Sequence, residues 1–281
     1  MYSSFITCLP FGSIDDAMLL DELSGGAPES VNDDSLAGET EDGGVGVQKL
    51  NDMFTGCKPL LPIIGLPQCM YHNLNTVKGV LGELSVDNKL VNYAILHANC
   101  RSLQAHYNDV RDLVLQAPFN FDVLALTETW LRNDEVLNIH GYQPVLCNRV
   151  NKRGGGVAVY IHNSLTFHVM DEVKVDLHKV GCEALGVRME PQAQRSRVIV
   201  CIYRPPNTPQ TQEFLICMEN IVERYRGWDV YICGDFNLDM QKYQNDSYVT
   251  DFYDLFTSSG FYPLIYKPTR LESCMCNLCF I

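Results

Sequence analysis

The sequence predicts a sandwich of the α/β or α+β kind, sheets inside and helices outside, over residues 89–281. Three observations lead there. From Lys89 onward, apolar strand-like runs alternate with amphipathic helical stretches, the pattern of sheets covered by helices. The connections between them are short and rich in turn-forming residues. At 281 residues with 46% hydrophobic side chains, the chain also has enough apolar material to bury a core.

Residues 1–88 stand apart from this pattern. Within the first fifty residues, ten Asp and Glu face a single basic residue, Lys49, so most of the formal charge of −13 is concentrated there. Such a segment repels polyanions. The stretch "SIDDAMLLDELSGGAPESVNDDSLAGETEDGGVGV" mixes acids with Gly, Ser and Pro and has too few large apolar residues to offset the entropy of ordering. In "PLLPIIGLP", Pro59, Pro62 and Pro67 break any long element. Residues 1–88 are therefore expected to be an acidic, largely disordered segment and a linker or docking stretch.

The elements follow in order. "KLVNYAILHAN" reads as a strand, and "SLQAHYNDVRDLVLQA" as a helix with Leu103, Tyr107, Val110 and Val114 on one stripe. "FDVLALTET" is a second buried strand. "GGGVAVYIHN", "CEALGVRME" and "SRVIVCIYRPPN" are rich in β-branched residues and read as strands. "QTQEFLICMENIVERYR" is an amphipathic helix, "WDVYICGDFN" a strand, and "SYVTDFYDLFTSSGF" a helix closed by Gly260. No internal repeat is present.

The twelve cysteines lack framework spacing, and Cys100, Cys201 and Cys233 lie in or beside strand-like runs, which favours a reducing compartment. The opening "MYSSFITCLPFGSIDDAMLL" has no basic region, and Asp15 and Asp16 interrupt its apolar residues, so it does not read as a secretory signal. No apolar run approaches the roughly 20 residues of a membrane span. The expectation is an intracellular chain with no membrane partner. No protein partner is indicated.

Four strands finish in chemistry-bearing residues. "AILHAN" ends at Asn99, "VLALTET" carries Glu128, "VIVCIYRPPN" carries Tyr203 and Arg204, and "VYICGDFN" ends at Asp235 and Asn237. Each alone is an ordinary turn former, edge aromatic or solvated acid; together they can line one cleft at the rim of a sheet. A hard cation such as Mg²⁺ takes oxygen ligands, commonly one or two carboxylates, and leaves positions for water and phosphate. Glu128 suits that role. Asp235 can orient or deprotonate an attacking water, while Asn99, Asn237 and Tyr203 can donate to phosphoryl oxygens as charge develops.

These residues sit in "HANCRSL", "LALTETWL", "RGGGVAVYI", "CIYRPPN", "ICGDFN" and "KPTR", a set whose order and wording resemble the endonuclease/exonuclease/phosphatase superfamily. Within it, the chain is most similar to the endonuclease domain of non-LTR (LINE-type) retrotransposon reverse transcriptase polyproteins, over about 90–270. The resemblance implies a four-layered α/β sandwich, two packed mixed sheets flanked by helices. It also implies Mg²⁺-dependent phosphodiester cleavage, with Mn²⁺ as a substitute cation, DNA as substrate, and a nuclear location. Carried over by position, Asn99 and Glu128 belong to the metal site and Asn99 and Asn237 to the phosphate. Tyr203 contacts the scissile phosphate, and Asp235 positions the nucleophilic water.

After "PTR" the family continues into a strand with an Asp, commonly followed by His. Here the chain runs "LESCMCNLCFI", which puts Cys276 and Asn277, or in the next register Asn277 and Leu278, at the pair's positions. None of the seven histidines lies beyond His178. The expectation is a domain truncated or divergent after 270, with an incomplete C-terminal strand and weak or absent activity. Two alternatives are a catalytically dead fold that binds nucleic acid or protein, and a phosphatase or lipid phosphodiesterase of the same superfamily. Cys274, Cys276 and Cys279 do not match a common zinc module. "RGGG" lacks the Lys-Ser/Thr of a phosphate loop and reads as a tight turn.

Overall fold

A computed structural model describes residues 3–10, 91–117, 119–150, 153–190, 196–206, 208–265 and 277–280. Two five-stranded mixed sheets pack face to face. The first has the order β1-β2-β3-β5-β4, formed by β1 (Ser3–Pro10), β2 (Val91–Asn99), β3 (Val123–Thr127), β5 (Val157–His162) and β4 (Tyr142–Cys147). Its strands β1, β2 and β3 are mutually parallel, and β5 and β4 follow antiparallel. The second has the order β10-β9-β8-β7-β6, formed by β10 (Asn277–Phe280), β9 (Asp229–Asp235), β8 (Arg197–Tyr203), β7 (Glu183–Glu190) and β6 (Thr166–Val169). Only β8 and β9 are parallel in it.

The near-continuous apolar runs have a simple cause: both faces of each sheet are covered. Along β2, Ala94, Leu96 and Ala98 turn outward to α1 (Tyr107–Gln116), where Val110 and Leu113 meet them. The alternate residues Tyr93 and Ile95 turn inward and share a core with Ile199, Cys201, Tyr231 and Cys233 of the facing sheet. The outer face of the second sheet, with Val198, Val200 and Ile232, is covered by α2 (Asp171–Lys179), α3 (Gln212–Arg224) and α4 (Ser247–Ser258). The layers run helix, sheet, sheet, helices, as the four-layered expectation required.

Four elements, β1, β4, β6 and α2, had no counterpart in the sequence reading, and the C-terminal strand β10 was expected to be incomplete. Strand β4 is an edge strand that accommodates Pro144, since an edge position does not need every N–H. Strand β6 is an edge of the second sheet and is largely exposed, so it carries no apolar signature. Helix α2 buries only Val173 and Leu177. Strand β1 lies within the segment expected to be largely disordered and pairs with β2 from Ser3 to Pro10; the acidic stretch and linker lie outside the described residues, as does "KPTR". Strand β10 extends only four residues along β9, yet Phe280 is buried and stacked on Phe256, with centroids 4.1 Å apart. The first helix also starts later than its apolar stripe suggests, at Tyr107, because Ser102 and Leu103 donate to the carbonyls of Glu128 and Thr129 instead.

Candidate active site

The C-terminal ends of β2, β3, β8 and β9 come together on one side of the sandwich. In the first sheet the ladder pairs Asn99 with Thr127, so Glu128 follows one residue beyond Asn99's neighbour. In the second it pairs Tyr203 with Asp235. The facing of the two sheets then brings these ends together. Asn99 donates from Nδ2 to Glu128 Oε1 at 3.0 Å and, across the inter-sheet space, to Asp235 Oδ2 at 2.6 Å. One carboxamide thereby holds two carboxylates, one hydrogen to each.

The two acids differ in environment. Asp235 is fully buried and also accepts from the backbone N–H of Asn237 at 3.1 Å. Glu128 is half-buried, and its second oxygen, Oε2, accepts from the indole Nε1 of Trp130 at 3.2 Å. Asn99 is itself nearly buried, and its Oδ1 accepts from the Arg101 N–H at 3.3 Å, which fixes which side of the amide faces the acids.

The backbone around these groups is unusual. Glu128, Trp130 and Asn237 have φ of 50°, 57° and 48°, left-handed conformations that cost side-chain-bearing residues on the order of 1–3 kcal/mol each and persist only where the surroundings enforce them. The enforcement is visible. Residues 128–130 are bracketed on one side by Ser102 and Leu103, and on the other by Trp130 N–H to Gly155 O at 2.9 Å and Thr129 N–H to Gly156 O at 3.3 Å. The three glycines after Arg153 all have positive φ, so "RGGG" is a turn. Gly234, with φ of 150°, is required for another reason: a Cβ there would lie 1.9 Å from the Ile202 carbonyl oxygen, so only glycine lets β9 deliver Asp235 this close to β8.

Tyr203 completes the constellation. Burial, and then the charges of Glu128 and Asp235, hold its phenol well above the ordinary tyrosine range, partly offset by Arg149. It stays protonated and is a hydrogen-bond donor at any working pH. Asn237 donates from Nδ2 to the Arg204 carbonyl at 2.7 Å, which ties the end of β9 to the end of β8. Arg204 is buried, donating to the carbonyls of Thr208 and Pro209 at 2.7 and 3.0 Å, so this strand-end residue builds the loop. Cys100 is no nucleophile: burial and the neighbouring Glu128 raise its thiol far above neutrality.

All five residues singled out in sequence, Asn99, Glu128, Tyr203, Asp235 and Asn237, thus lie at one end of the sandwich. Sequence reasoning passed over Trp130, Arg149 and Glu183. The last two form an ion pair beside the site, with the Arg149 guanidinium 5.7 Å from the centre of the Tyr203 ring. The only available signal for Trp130 was its place in "TETWL". In the final strand, Asn277 stands opposite Asp235 in the β9–β10 ladder and Leu278 opposite Gly234.

The donor set suits a hard cation. Two carboxylates are held close by a neutral amide, and one of them is open enough to exchange a partner for a cation. Among the described residues no cluster of three or more His, Cys, Asp or Glu is present. Among the described residues, no helix is long and apolar enough to cross a membrane.

Comparison with known proteins bears on the family and the fold. Residues 96–270 match the profile of the Endonuclease/Exonuclease/phosphatase family. Among solved structures, the chain is similar to the endonuclease domain of TRAS1, a telomere-specific non-LTR retrotransposon. The identity is 12%, 67% of this chain and 83% of that one are covered, and the TM-score is 0.53. It is also similar to the AP endonuclease LMAP from Leishmania major, with 14% identity, coverage of 67% and 78%, and a TM-score of 0.45. A third is the 3'-5' exonuclease NExo from Neisseria meningitidis, with 14% identity, coverage of 66% and 85%, and a TM-score of 0.47. No curated protein matches. The likeness to the TRAS1 domain is one of fold: two mixed sheets with flanking helices.

Proposed function

The chain belongs to the Endonuclease/Exonuclease/phosphatase family, and we propose that its strand-end site is that of a Mg²⁺-dependent phosphodiester hydrolase that nicks DNA slowly. The observation that carries the reading is the single amide of Asn99 joining Glu128 to Asp235 across the two sheets. Such an arrangement gathers two carboxylates at one point, the setting a divalent cation completes. DNA as substrate, rather than a phosphate monoester or a lipid, is supported by "TETWL" and "YRPPN" and by the likeness to a retrotransposon endonuclease domain. That substrate carries with it a nuclear site of action. The catalytic domain is assigned to 89–281, with β1 (Ser3–Pro10) added at the edge of its first sheet.

Glu128, with Asn99 beside it, would hold the cation, which supplies Lewis acidity to a phosphoryl oxygen and charge neutralisation; Mn²⁺ would substitute for Mg²⁺. The chain's own residues do the rest. Asp235, oriented by Asn99 and by the Asn237 N–H, accepts a hydrogen bond from the attacking water and fixes its direction. Tyr203, kept protonated, donates to a phosphoryl oxygen; the second Nδ2 hydrogen of Asn237 adds a donor where charge builds, as does Asn99 once the cation takes over its carboxylate partner Glu128. What this 281-residue chain does not offer is an imidazole on the strand after β9. Its last histidine is His178, and by position either Cys276 and Asn277 or Asn277 and Leu278 take the places of the family's Asp–His pair. Removing one member of a cooperating catalytic set commonly costs several powers of ten while leaving a residue of catalysis from binding and electrostatics.

Plasmid nicking tests this. The protein at high concentration should relax supercoiled plasmid slowly in Mg²⁺, and EDTA, Glu128→Gln or Asp235→Ala should each stop it. Nicking unaffected by these substitutions would refute the site. No nicking at all, with folding shown by circular dichroism, would favour a binding fold.

A further inference from the structure

Glu128 has two oxygens, and the fold gives each a different donor. Oε1 receives Asn99 Nδ2 at 3.0 Å and Oε2 receives Trp130 Nε1 at 3.2 Å. A carboxylate held at both oxygens cannot rotate about its last bond, so its plane is set before any cation arrives. We propose that Trp130 is a positioning residue for the cation site, its indole N–H fixing the Glu128 carboxylate in the orientation that binds metal. The proposal rests on the reading of Glu128 as the cation ligand.

Trp130 is built to hold that position. Its own φ is 57°, and its backbone N–H is anchored on Gly155 O at 2.9 Å. The Arg153 guanidinium lies 5.2 Å from the centre of its ring and covers the indole. Arg153 and Gly155 both belong to the triple-glycine turn, so the turn grips the tryptophan by backbone and by side chain at once. This gives the turn a purpose that its failure as a phosphate loop left open. A phenyl ring at this position is smaller but still presents an aromatic face to Arg153, and it leaves Oε2 without its donor.

The expected size follows from what outer partners of metal ligands contribute, typically about 10–100-fold in affinity. Trp130 is a neutral donor at 3.2 Å to a half-buried acceptor, so the lower end applies, about tenfold.

The test needs no turnover. Mn²⁺ binding is counted from the free-ion electron paramagnetic resonance signal for the full chain and for Glu128→Gln, Trp130→Phe and Trp130→His. The full chain should bind one Mn²⁺, Glu128→Gln should lose it, and Trp130→Phe should bind about tenfold more weakly with an unchanged melting temperature. Trp130→His, which restores a ring N–H, should recover most of the loss. Trp130→Phe binding like the parent would overturn the positioning role and leave the cation site standing. Binding that Glu128→Gln does not alter would overturn the site reading and this inference with it. Should Trp130→Phe not fold, a Trp228→Phe protein, in which Trp130 is the one remaining tryptophan, serves instead: Mn²⁺ should quench its emission saturably, and Glu128→Gln should abolish the quenching. Emission indifferent to Mn²⁺ would overturn the proposal.

Discussion

Substitution of Asn99 by Ala tests the join between the two sheets. The side chain makes two hydrogen bonds to carboxylates, at 3.0 Å to Glu128 and 2.6 Å to Asp235, and bonds to charged groups contribute roughly 1.5–3 kcal/mol each. The two losses are not equal. Glu128 is half-exposed, so water replaces most of what it loses. Asp235 is fully buried and keeps only part of its donor set, including the Asn237 N–H. The expected cost is therefore close to one full charged bond with a small remainder, about 2–3 kcal/mol. Urea denaturation at pH 7.5 in EDTA, with the slope m unchanged, measures it. Asn99→Asp should be at least as unstable in EDTA, because it sets a third carboxylate against two, and should regain more stability from Mg²⁺ than the parent does. A loss under about 0.5 kcal/mol for Asn99→Ala would show that Asn99 does not hold Asp235.

Two further outcomes are expected. His97 is fully buried, and burial lowers its pKa from 6.5 to about 4; the folded state therefore prefers the neutral ring, so the stabilisation is complete above pH 6.5 and is lost as pH falls toward 4, by on the order of 3 kcal/mol. Denaturation curves across that range should show the loss, and His97→Leu should flatten it. Phe280→Ala should cost about 3–5 kcal/mol, since the buried ring stacks on Phe256 at 4.1 Å; a loss below about 1 kcal/mol in thermal denaturation would mean that the final strand is not part of the core.

The parts of the fold visible in the sequence are those whose side chains are buried on both faces. Strands β2, β3, β5, β8 and β9 are near-continuous apolar runs because alternate residues enter different cores, as Leu96 and Ile95 do. Edges escaped notice for the opposite reason: β6 faces solvent, and β4 contains Pro144. The start of α1 was misplaced because Ser102 and Leu103 bond to the segment carrying Glu128, a tertiary contact that no local periodicity records. The site divides the same way. Asn99, Glu128, Tyr203, Asp235 and Asn237 were legible since a polar residue closing an apolar run is visible in one dimension. Trp130 was not, because its meaning lies in the reach of its indole N–H back to a carboxylate two residues earlier, which depends on two left-handed residues.

The central claim is that Glu128, with Asn99 beside it, holds a divalent cation for phosphodiester cleavage next to Asp235, which directs the attacking water. Crystals of the protein soaked in MnCl₂ and measured at the manganese absorption edge test it most directly. The account predicts an anomalous peak within about 2.5 Å of a Glu128 carboxylate oxygen, on the Asp235 side, absent in Glu128→Gln crystals. Well-ordered Asn99, Glu128 and Asp235 side chains with no peak between them, at a Mn²⁺ concentration that supports or should support nicking, would contradict it.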